Sequence, residues 1–264
     1  MQDILAEKLT ERYNREAYAY RDLWGPVLRT AGVRLLAELG NTPIHRIVDV
    51  GTGVGSLLPD LHSAFPDALL LGVDRAEGML KLAPREVPLA VMDARQLALP
   101  PTCVDLVLLV FMLFHLKKPA DGLGEARRVL RKGGRVGTLT WAGELESTAT
   151  RIWTECLDEH GATKADPDTE TRHAAVDTPE KMDNLLRSAG FTSPRSWTYD
   201  LVSTLDLEHL LKLRTTMGSA KPRFDSLDPI TREVCMTNAR RRLEGLARED
   251  FVTRGRIVYS VANA

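Results

Sequence analysis

IVDVGTGVGSLL, residues 47–58, is the stretch that decides the fold. Its first half is a short apolar run typical of a buried β-strand, and its second half contains three glycines at alternate positions. Such glycines let the chain turn sharply out of the strand and bring a ligand against bare main chain. The dinucleotide fingerprint GxGxxG requires a third glycine where Ser56 stands, and Gly55 comes one place early. The loop therefore departs from a nicotinamide dinucleotide site.

An acidic residue, Asp49, stands just before this turn. A carboxylate there repels a pyrophosphate and favours a ligand that carries positive charge. The loop thus predicts a cofactor different from a dinucleotide.

The sequence around this loop alternates between short apolar runs and longer segments. Five runs are rich in Val, Ile and Leu, at residues 44–50, 67–74, 88–94, 104–111 and 134–141. The segments between them, such as 57–65 and 119–132, are long enough for helices. Near-continuous apolar strands that alternate with helices predict a parallel sheet covered on both faces.

The two ends of the chain extend this core. Residues 3–39 predict two helices hinged at Gly25-Pro26. After Trp141 the pattern predicts the following segments: a helix at 144–160, a polar surface loop at 161–179, a helix at 178–191, a sixth strand at 193–202, helices at 206–218 and 228–250, and a closing strand at 251–264. The insertion at about 206–250 is interpreted as a helical lid.

Composition excludes several classes of protein. The chain has 264 residues, a formal net charge of −1 and 44% hydrophobic residues, so a nucleic-acid partner is not expected. Three widely spaced cysteines indicate neither a disulfide framework nor a zinc site, and we expect no metal. The charged N-terminus does not resemble a signal peptide, and no stretch reaches the ~18 apolar residues of a membrane span. We expect a cytoplasmic protein without a membrane partner; its oligomeric state is left open.

The ordered motifs resemble those of class I S-adenosylmethionine (SAM)-dependent methyltransferases. The stretch DVGTGVG (49–55) is similar to their glycine motif, and LLLGVD ends in Asp74, which resembles the acid that binds both ribose hydroxyls. The stretch VMDARQLALP resembles the third motif, in which Asp93 and Ala94 would contact the adenine amino edge. VDLVLLVFMLFHL and EARRVLRKGGRVGTLTW resemble the fourth strand, its helix and the turn into the fifth strand.

This resemblance implies a Rossmann-like, doubly wound, seven-stranded and mostly parallel α/β sheet with a C-terminal helical cap. It also implies one methyltransferase domain over 1–264, consisting of an N-terminal helical lid (1–40), a SAM-binding core (44–142) and a completed sheet with its cap (143–264). The cofactor would be SAM, released as S-adenosylhomocysteine (SAH). The cofactor-binding residues implied are Tyr20, Asp49, Gly51, Thr52, Gly53, Gly55, Asp74, Arg75, Met79, Asp93, Ala94, Val110 and Phe111.

Some of these residues have a second interpretation. Arg75 is also explained as a surface residue and Met79 as a core residue. Tyr20, in a segment similar to one that reaches the methionine part of SAM, is explained equally well as an anchor of the N-terminal helices.

Candidate catalytic groups are two histidines. His115 lies just past the fourth strand, at the carboxyl edge where ligands gather in open α/β sheets, and its pKa class suits a general base. His173 lies in the polar loop and would reach an acceptor only if that loop folds inward. The alternatives are a packing or cofactor-side role for His115 and an ordinary solvent-exposed position for His173. The predicted substrate pocket is apolar and consists of Trp24, Trp141, Trp153 and Met217.

The function predicted is methyl transfer from SAM, by in-line displacement, to an oxygen or carbon of a small, fairly apolar metabolite. The C-terminal half resembles ubiquinone-methylase-like and natural-product methyltransferases in general layout. Two alternatives remain: a SAM-binding protein of this fold with a cyclase or regulatory role, and a nicotinamide-dependent oxidoreductase. An RNA methyltransferase is a third, which the lack of net positive charge disfavours.

Overall fold

The structure is a computed structural model that describes residues 3–39, 43–164, 166–218 and 220–264. It contains a seven-stranded sheet with the order β3-β2-β1-β4-β5-β7-β6. The strands are β1 Arg46–Val50, β2 Leu69–Asp74, β3 Leu89–Val91, β4 Val104–Val110, β5 Leu130–Leu145, β6 Thr192–Thr204 and β7 Val252–Asn263. All seven predicted strands are present, and the predicted Rossmann-like fold class is confirmed.

The first five strands are parallel wherever they pair with one another. Val48 pairs with Leu71 of β2 on one side and with Val107 of β4 on the other. The chain therefore runs outward from β1 through β2 to β3 and then crosses back to β4. In open α/β sheets such a reversal leaves a crevice at the carboxyl ends of the strands. Here it lies between β1 and β4, where the glycine loop leaves the sheet.

The helices are α1 Ile4–Ala19, α2 Gly25–Ala37, α3 Leu58–Ala64, α4 Glu77–Leu80, α5 Pro119–Val129, α6 Thr148–Glu159, α7 Pro167–Ala174, α8 Pro179–Ser188, α9 Leu207–Thr216, α10 Ala220–Asp225 and α11 Pro229–Leu243. Helix α8 confirms its sequence signals. Its cap is Thr178, whose Oγ1 accepts a hydrogen bond from the Lys181 N–H at 3.3 Å. Gly190 follows with φ +84°.

The N-terminal segment differs from the predicted hinge. A π-helical turn, Tyr20–Trp24, joins α1 directly to α2, and the Gly25 N–H bonds to the carbonyl of Tyr20. Gly25 and Pro26 do not break the helix, because Pro26 occupies the first turn of α2, where its missing N–H costs no helical hydrogen bond. The prediction of a hinge at Gly25-Pro26 was therefore wrong. Instead, the π-helical turn, which is wider than an α-helical turn, directly precedes Gly25.

Other predicted boundaries also shift. Residues 130–132 extend β5 instead of α5, and residues 144–145 belong to β5 instead of α6. The predicted surface loop at 161–179 contains α7, and α10 lies between the two helices predicted for the lid. Both α7 and α10 are short and largely polar, so no apolar periodicity marked them.

The chain forms two compact units. The first comprises residues 1–142, 171–199 and 257–264, and the second comprises 143–170 and 200–256. The core of the first contains fully buried β4 side chains such as Leu106 and Leu108. The second has its own core, where Trp153 packs on Phe224 with ring centroids 5.6 Å apart. Among the described residues, no helix has both the length and the apolar character to cross a membrane.

Candidate active site

The glycine loop after β1 is fixed to the end of β2. The N–H groups of Gly51 and Thr52 both donate to the carbonyl of Val73, at 2.8 and 3.0 Å. Gly51, Gly53 and Gly55 have φ values of +77°, +58° and +71°. These values lie in the left-handed region, which residues with a Cβ rarely adopt. The loop therefore depends on glycine at all three positions.

The space around the three glycines gives them different roles. A Cβ on Gly51 would lie 2.9 Å from the Cβ of Met112, and one on Gly53 would lie 3.2 Å from Cε of Met79. Gly51, Gly53, Met79 and Met112 all line one cleft. A Cβ on Gly55 would instead meet Ala83 at 2.9 Å. Gly55 thus permits close packing beneath the loop.

The cleft itself encloses about 900 Å³ of space not filled by atoms, including its open mouth. The predicted cofactor residues that line it are Tyr20, Gly51, Gly53, Asp74, Arg75, Met79, Asp93, Ala94, Val110 and Phe111. The predicted residues Asp49, Thr52 and Gly55 are not part of its lining. The tertiary structure therefore brings ten of the thirteen predicted residues to one surface.

Asp74 lies at the carboxyl end of β2 and supports the loop. Its Oδ2 accepts a hydrogen bond from the Gly53 N–H at 2.9 Å, and its Oδ1 accepts one from the Ala76 N–H at 2.8 Å. Burial raises the pKa of the Asp74 carboxyl, and hydrogen bonds from the backbone N–H groups of Ala76, Gly53 and Arg75 oppose that shift. Each oxygen keeps a lone pair beyond its backbone bond, so the carboxylate offers two adjacent acceptors.

Asp49 is buried in β1, beneath the loop. Burial raises its pKa to about 6, and the negative charge of nearby Asp74 contributes to the rise. This carboxyl therefore adds to the negative potential below the glycine loop without facing the cleft directly.

Asp93 follows β3 and is held by arginines. Arg95 donates to it from its backbone N–H and Nε, both at 2.9 Å, and from Nη2 at 2.6 Å. The Nη1 of Arg75 lies 3.4 Å from Oδ2. The hydrogen bonds from Arg95 hold the pKa of the Asp93 carboxyl below its usual range. Two of the predicted cofactor-binding residues, Arg75 and Asp93, thus form an ion pair with each other at the edge of the cleft.

Helix α1 is attached along this cleft. Asp3, its N-cap, forms an ion pair with Arg95. Asn14 Oδ1 accepts a hydrogen bond from the Gly78 N–H at 2.7 Å, and a Cβ on Gly78 would come within 3.0 Å of the Asn14 Cα. The helix therefore approaches α4 as closely as a glycine allows. Five residues of its first half line the cleft: Leu5, Ala6, Leu9, Thr10 and Tyr13.

Tyr13 is the functional candidate that sequence reasoning missed. Its hydroxyl lies 2.8 Å from Nε2 of His115, and both side chains line the cleft. Tyr13 also packs edge-on against Tyr20, with ring centroids 6.0 Å apart. Because the two tyrosines are seven positions apart in the sequence, they lie on one helical face, and this spacing was a signal available in the sequence.

His115 lies in a short 3₁₀ turn, Leu113–His115, just after β4. Burial, together with the positive charges of Arg12 and Arg172 and the nearby His173, lowers its pKa to about 3. The imidazole is therefore neutral at physiological pH. Burial likewise raises the pKa of the Tyr13 hydroxyl, so the pair carries no net charge.

His173 lies on α7 and not in a loop. Its ring stacks on Phe114 at 4.3 Å between centroids, and Phe114 contacts His115 at 4.5 Å. Burial and the charge of Arg172 lower the pKa of His173. The structure thus brings both predicted histidines into contact with one aromatic ring.

The predicted pocket residues fall into both units. Trp24 and Trp141 belong to the first unit and stack on each other, with ring centroids 5.9 Å apart. Trp153 is buried in the core of the second unit, and Met217 is buried at the end of α9 in the same unit.

The cleft fits a nucleoside cofactor that carries positive charge. Gly51 and Gly53 leave bare main chain at its floor, where a Cβ would occupy the space. Asp74 offers a paired acceptor suited to adjacent hydroxyls. The buried Asp49 adds negative potential below the loop, which disfavours a phosphate-bearing ligand and favours a cationic one.

Comparison with known proteins agrees with this geometry. Residues 48–137 match the sequence profile of the family described as "Methyltransferase domain". The malonyl-[acyl-carrier protein] O-methyltransferase of Methylococcus capsulatus is 32% identical over 176 residues, which cover 63% of this chain and 60% of the relative. A ubiquinone/menaquinone biosynthesis C-methyltransferase of Syntrophotalea carbinolica is 34% identical over 140 residues, which cover 50% and 57%.

Solved structures share the fold. Phosphoethanolamine N-methyltransferase 2 of Haemonchus contortus, in complex with SAM, aligns with a TM-score of 0.51 at 16% identity, over 89% of this chain and 52% of that one. The chain thus spans about 60% or less of the length of the relatives described here. These comparisons give no support to the nicotinamide alternative or to a role without methylation.

Proposed function

We propose that this chain, a member of the SAM-dependent methyltransferases, transfers a methyl group to an oxygen or carbon atom of a small metabolite. The observation that carries the proposal is that one cleft brings together the glycine loop, Asp74, Asp93 and the Tyr13–His115 pair. The named activities of the two sequence relatives, O-methylation and C-methylation, support oxygen or carbon as the accepting atom.

SAM, when bound, supplies a methyl group on a sulfonium whose departure leaves a neutral thioether. We assign Asp74 to the ribose hydroxyls, Asp93 and Ala94 to the adenine edge, and Gly51 and Gly53 to the floor of the site. Met79, Arg75, Val110 and Phe111 complete the cofactor walls. Tyr20 lies against Gly53, with its Cε1 3.9 Å from where a Cβ of that glycine would lie, so we place it at the methionine end.

The chemistry of transfer needs alignment and the exclusion of water more than strong acid or base catalysis. Helix α1, held by Asp3 and Asn14, covers the cofactor cleft and supports both tasks. His115 acts together with Tyr13. A methyl acceptor bound against the Tyr13 hydroxyl gives its proton to that oxygen, and the tyrosine passes its own proton to Nε2 of His115, 2.8 Å away. An imidazole with a pKa near 3 is a weak base, which favours acceptors that are acidic, already ionised or electron-rich.

The experiment supplies the purified chain with SAM and two acceptor classes, an acyl thioester with a free carboxyl group and a quinol, and follows SAH formation. We expect methyl transfer to one class. His115→Ala should lower turnover by about 100-fold or more while the Kd for SAH changes by less than about threefold. Turnover like that of the wild type in this variant would remove His115 from the chemistry. Tight SAM binding without SAH formation on any acceptor would favour a regulatory or cyclase role.

We also propose that the chain works in the cytoplasm, as one functional domain composed of both units, on a metabolite of quinone or natural-product type. His173 is kept as a second candidate base, because its ring and that of His115 both pack on Phe114.

A further inference from the structure

Arg95 joins the cofactor cleft to helix α1 through a single guanidinium group. Its Nε and Nη2 donate to Oδ1 and Oδ2 of Asp93, at 2.9 and 2.6 Å. Its Nη1 donates to Oδ2 of Asp3, the N-cap of α1. These three side chains, Asp3, Asp93 and Arg95, are here called the Arg95 latch. A guanidinium is planar and presents its donors in a fixed fork, so the two carboxylates are held in one arrangement.

The Asp93 side of the latch belongs to a well-fixed turn after β3. The backbone N–H of Arg95 donates to Oδ1 of Asp93, and the N–H of Gln96 donates to the Asp93 carbonyl, both at 2.9 Å. The N–H of Leu97 then donates to Oε1 of Glu125 on α5, at 2.6 Å. The Arg95 side chain therefore extends toward α1 from main chain that is held on both sides.

The Asp3 carboxylate serves the helix with one oxygen and the latch with the other. Its Oδ1 accepts a hydrogen bond from the Ala6 N–H at 3.2 Å, and its Oδ2 accepts one from Arg95. These two hydrogen bonds hold the pKa of the Asp3 carboxyl below its usual value. The side chains of Arg95 and Asp3 are 26% and 30% exposed. Salt in the solvent can therefore screen this ion pair.

The first half of α1 does not belong to a buried core. In the whole helix only Glu16 and Ala17, both near its C-terminus, are buried. The side-chain hydrogen bonds that attach Tyr13 and Asn14 to the rest of the unit lie about 15 Å further along the helix than Asp3. Between these two points, residues of α1 line the cleft. The position of this half of the helix therefore depends strongly on its attachment at Asp3.

From this arrangement we propose that Arg95 is a positioning residue that holds the first half of α1 closed over the cofactor and thereby limits the rate at which SAH leaves. The inference rests on the cofactor site assigned under the proposed function and extends it to product release. One guanidinium contacts both the acid assigned to the adenine edge and the cap of the helix that covers it. Departure of SAH from beside Asp93 then requires Asp3 to separate from Arg95.

The test compares the wild type with Asp3→Asn, which keeps the helix cap and removes the ion pair. Asparagine caps helices about as well as aspartate. Its single side-chain oxygen serves the Ala6 N–H and leaves no acceptor for Arg95. Dissociation of SAH is followed by stopped-flow fluorescence during displacement by excess SAM. We expect the dissociation rate to rise about 3- to 10-fold, as for the loss of a partly exposed ion pair.

Salt separates the ion pair from a purely structural role of the helix cap. At 1 M ionic strength the Debye length shortens to about 3 Å, so the difference between the wild type and Asp3→Asn should largely disappear. A matched control is Glu11→Gln, which removes an exposed acid from the same helix. Its SAH dissociation rate should equal that of the wild type.

Hydrogen exchange of the ligand-free protein gives a second readout, which does not depend on the cofactor. The backbone amides of residues 7–13 should exchange about 3- to 10-fold faster in Asp3→Asn than in the wild type, whereas those of α5 should not change. Glu11→Gln should leave both segments unchanged.

Unchanged SAH dissociation in Asp3→Asn, or a rise that persists in 1 M salt, would overturn the inference. Equal effects of Asp3→Asn and Glu11→Gln would also overturn it, because loss of negative charge on α1 would then explain the result. Failure of the wild type to bind SAH would contradict the proposed function instead, and hydrogen exchange would still test the latch. The two failures are therefore distinguishable.

Discussion

Replacement of Asp74 by asparagine removes one negative charge from the cleft and keeps the size of the side chain. Its carboxylate accepts backbone hydrogen bonds from Gly53 and Ala76, one on each oxygen. A carboxamide has a single oxygen, so one of these N–H groups loses its acceptor, at a cost of about 1–3 kcal/mol. Burial raises the pKa of Asp74, and removal of the charge recovers part of that cost. We expect the free energy of unfolding without ligand to fall by no more than about 2 kcal/mol.

The effect on cofactor binding should be larger than the effect on folding. A carboxylate offers two charge-assisted acceptors to adjacent hydroxyls, and loss of that pair costs about 2–4 kcal/mol. This energy corresponds to a weakening of SAH binding by about 30- to 1000-fold. Asp74→Asn therefore separates the structural role of the side chain from its binding role.

The assay is calorimetric titration of SAH into the wild type, Asp74→Asn and a control, Asp67→Asn. Asp67 is exposed and precedes β2, so its variant should bind SAH like the wild type. Urea unfolding of each ligand-free protein gives the free energy of unfolding. A Kd for Asp74→Asn within threefold of the wild type would mean that Asp74 does not hold the ribose and that the second motif is misplaced.

Three further predictions concern stability, each measured by urea unfolding. Gly55→Ala should lower the free energy of unfolding by about 3–5 kcal/mol, because the new Cβ would collide with Ala83 and the φ of this residue is positive. The control Gly133→Ala has a similar φ but open space around it, and should lower it by about 1–2 kcal/mol. Equal losses would contradict the packing role of Gly55. His115 has a folded pKa of about 3, below its usual value of 6.5, so the unfolded state binds the proton first and the free energy of unfolding falls as pH falls below 6.5. The wild type should lose about 1.4 kcal/mol per pH unit in this range, and His115→Gln should not show this loss. Parallel pH profiles of the two proteins would refute this. Asp49 has the opposite pH dependence: its folded pKa of about 6 exceeds 3.8, so the free energy of unfolding falls as pH rises from 3.8 to 6. Relative to the wild type, Asp49→Asn should therefore gain about 1.4 kcal/mol per pH unit over that range.

The sequence by itself determined the sheet and the positions of its chemical groups along the strands. The apolar runs predict β1 to β5 because strand formation follows a local pattern of side chains. The three glycines predict the turn because only they adopt its backbone angles without strain. Asp74 could be assigned to the edge of the cleft from its place at the end of β2.

Only the tertiary structure decided which side chains meet across that edge. Tyr13 and His115 are 102 residues apart, and Asp3 and Arg95 are 92 residues apart, so no local pattern connects them. The same holds for Trp24 and Trp141. Their apolar side chains predicted a shared pocket, but only the docking of the π-helical turn Tyr20–Trp24 near β5 brings the two rings into one stack. Helix α7 was not predicted because its residues are polar. The contact of its His173 with Phe114 joins residues that are far apart in the sequence. Local sequence specifies backbone period and turns, whereas pairing of distant side chains depends on how strands and helices dock, which is a property of the whole fold.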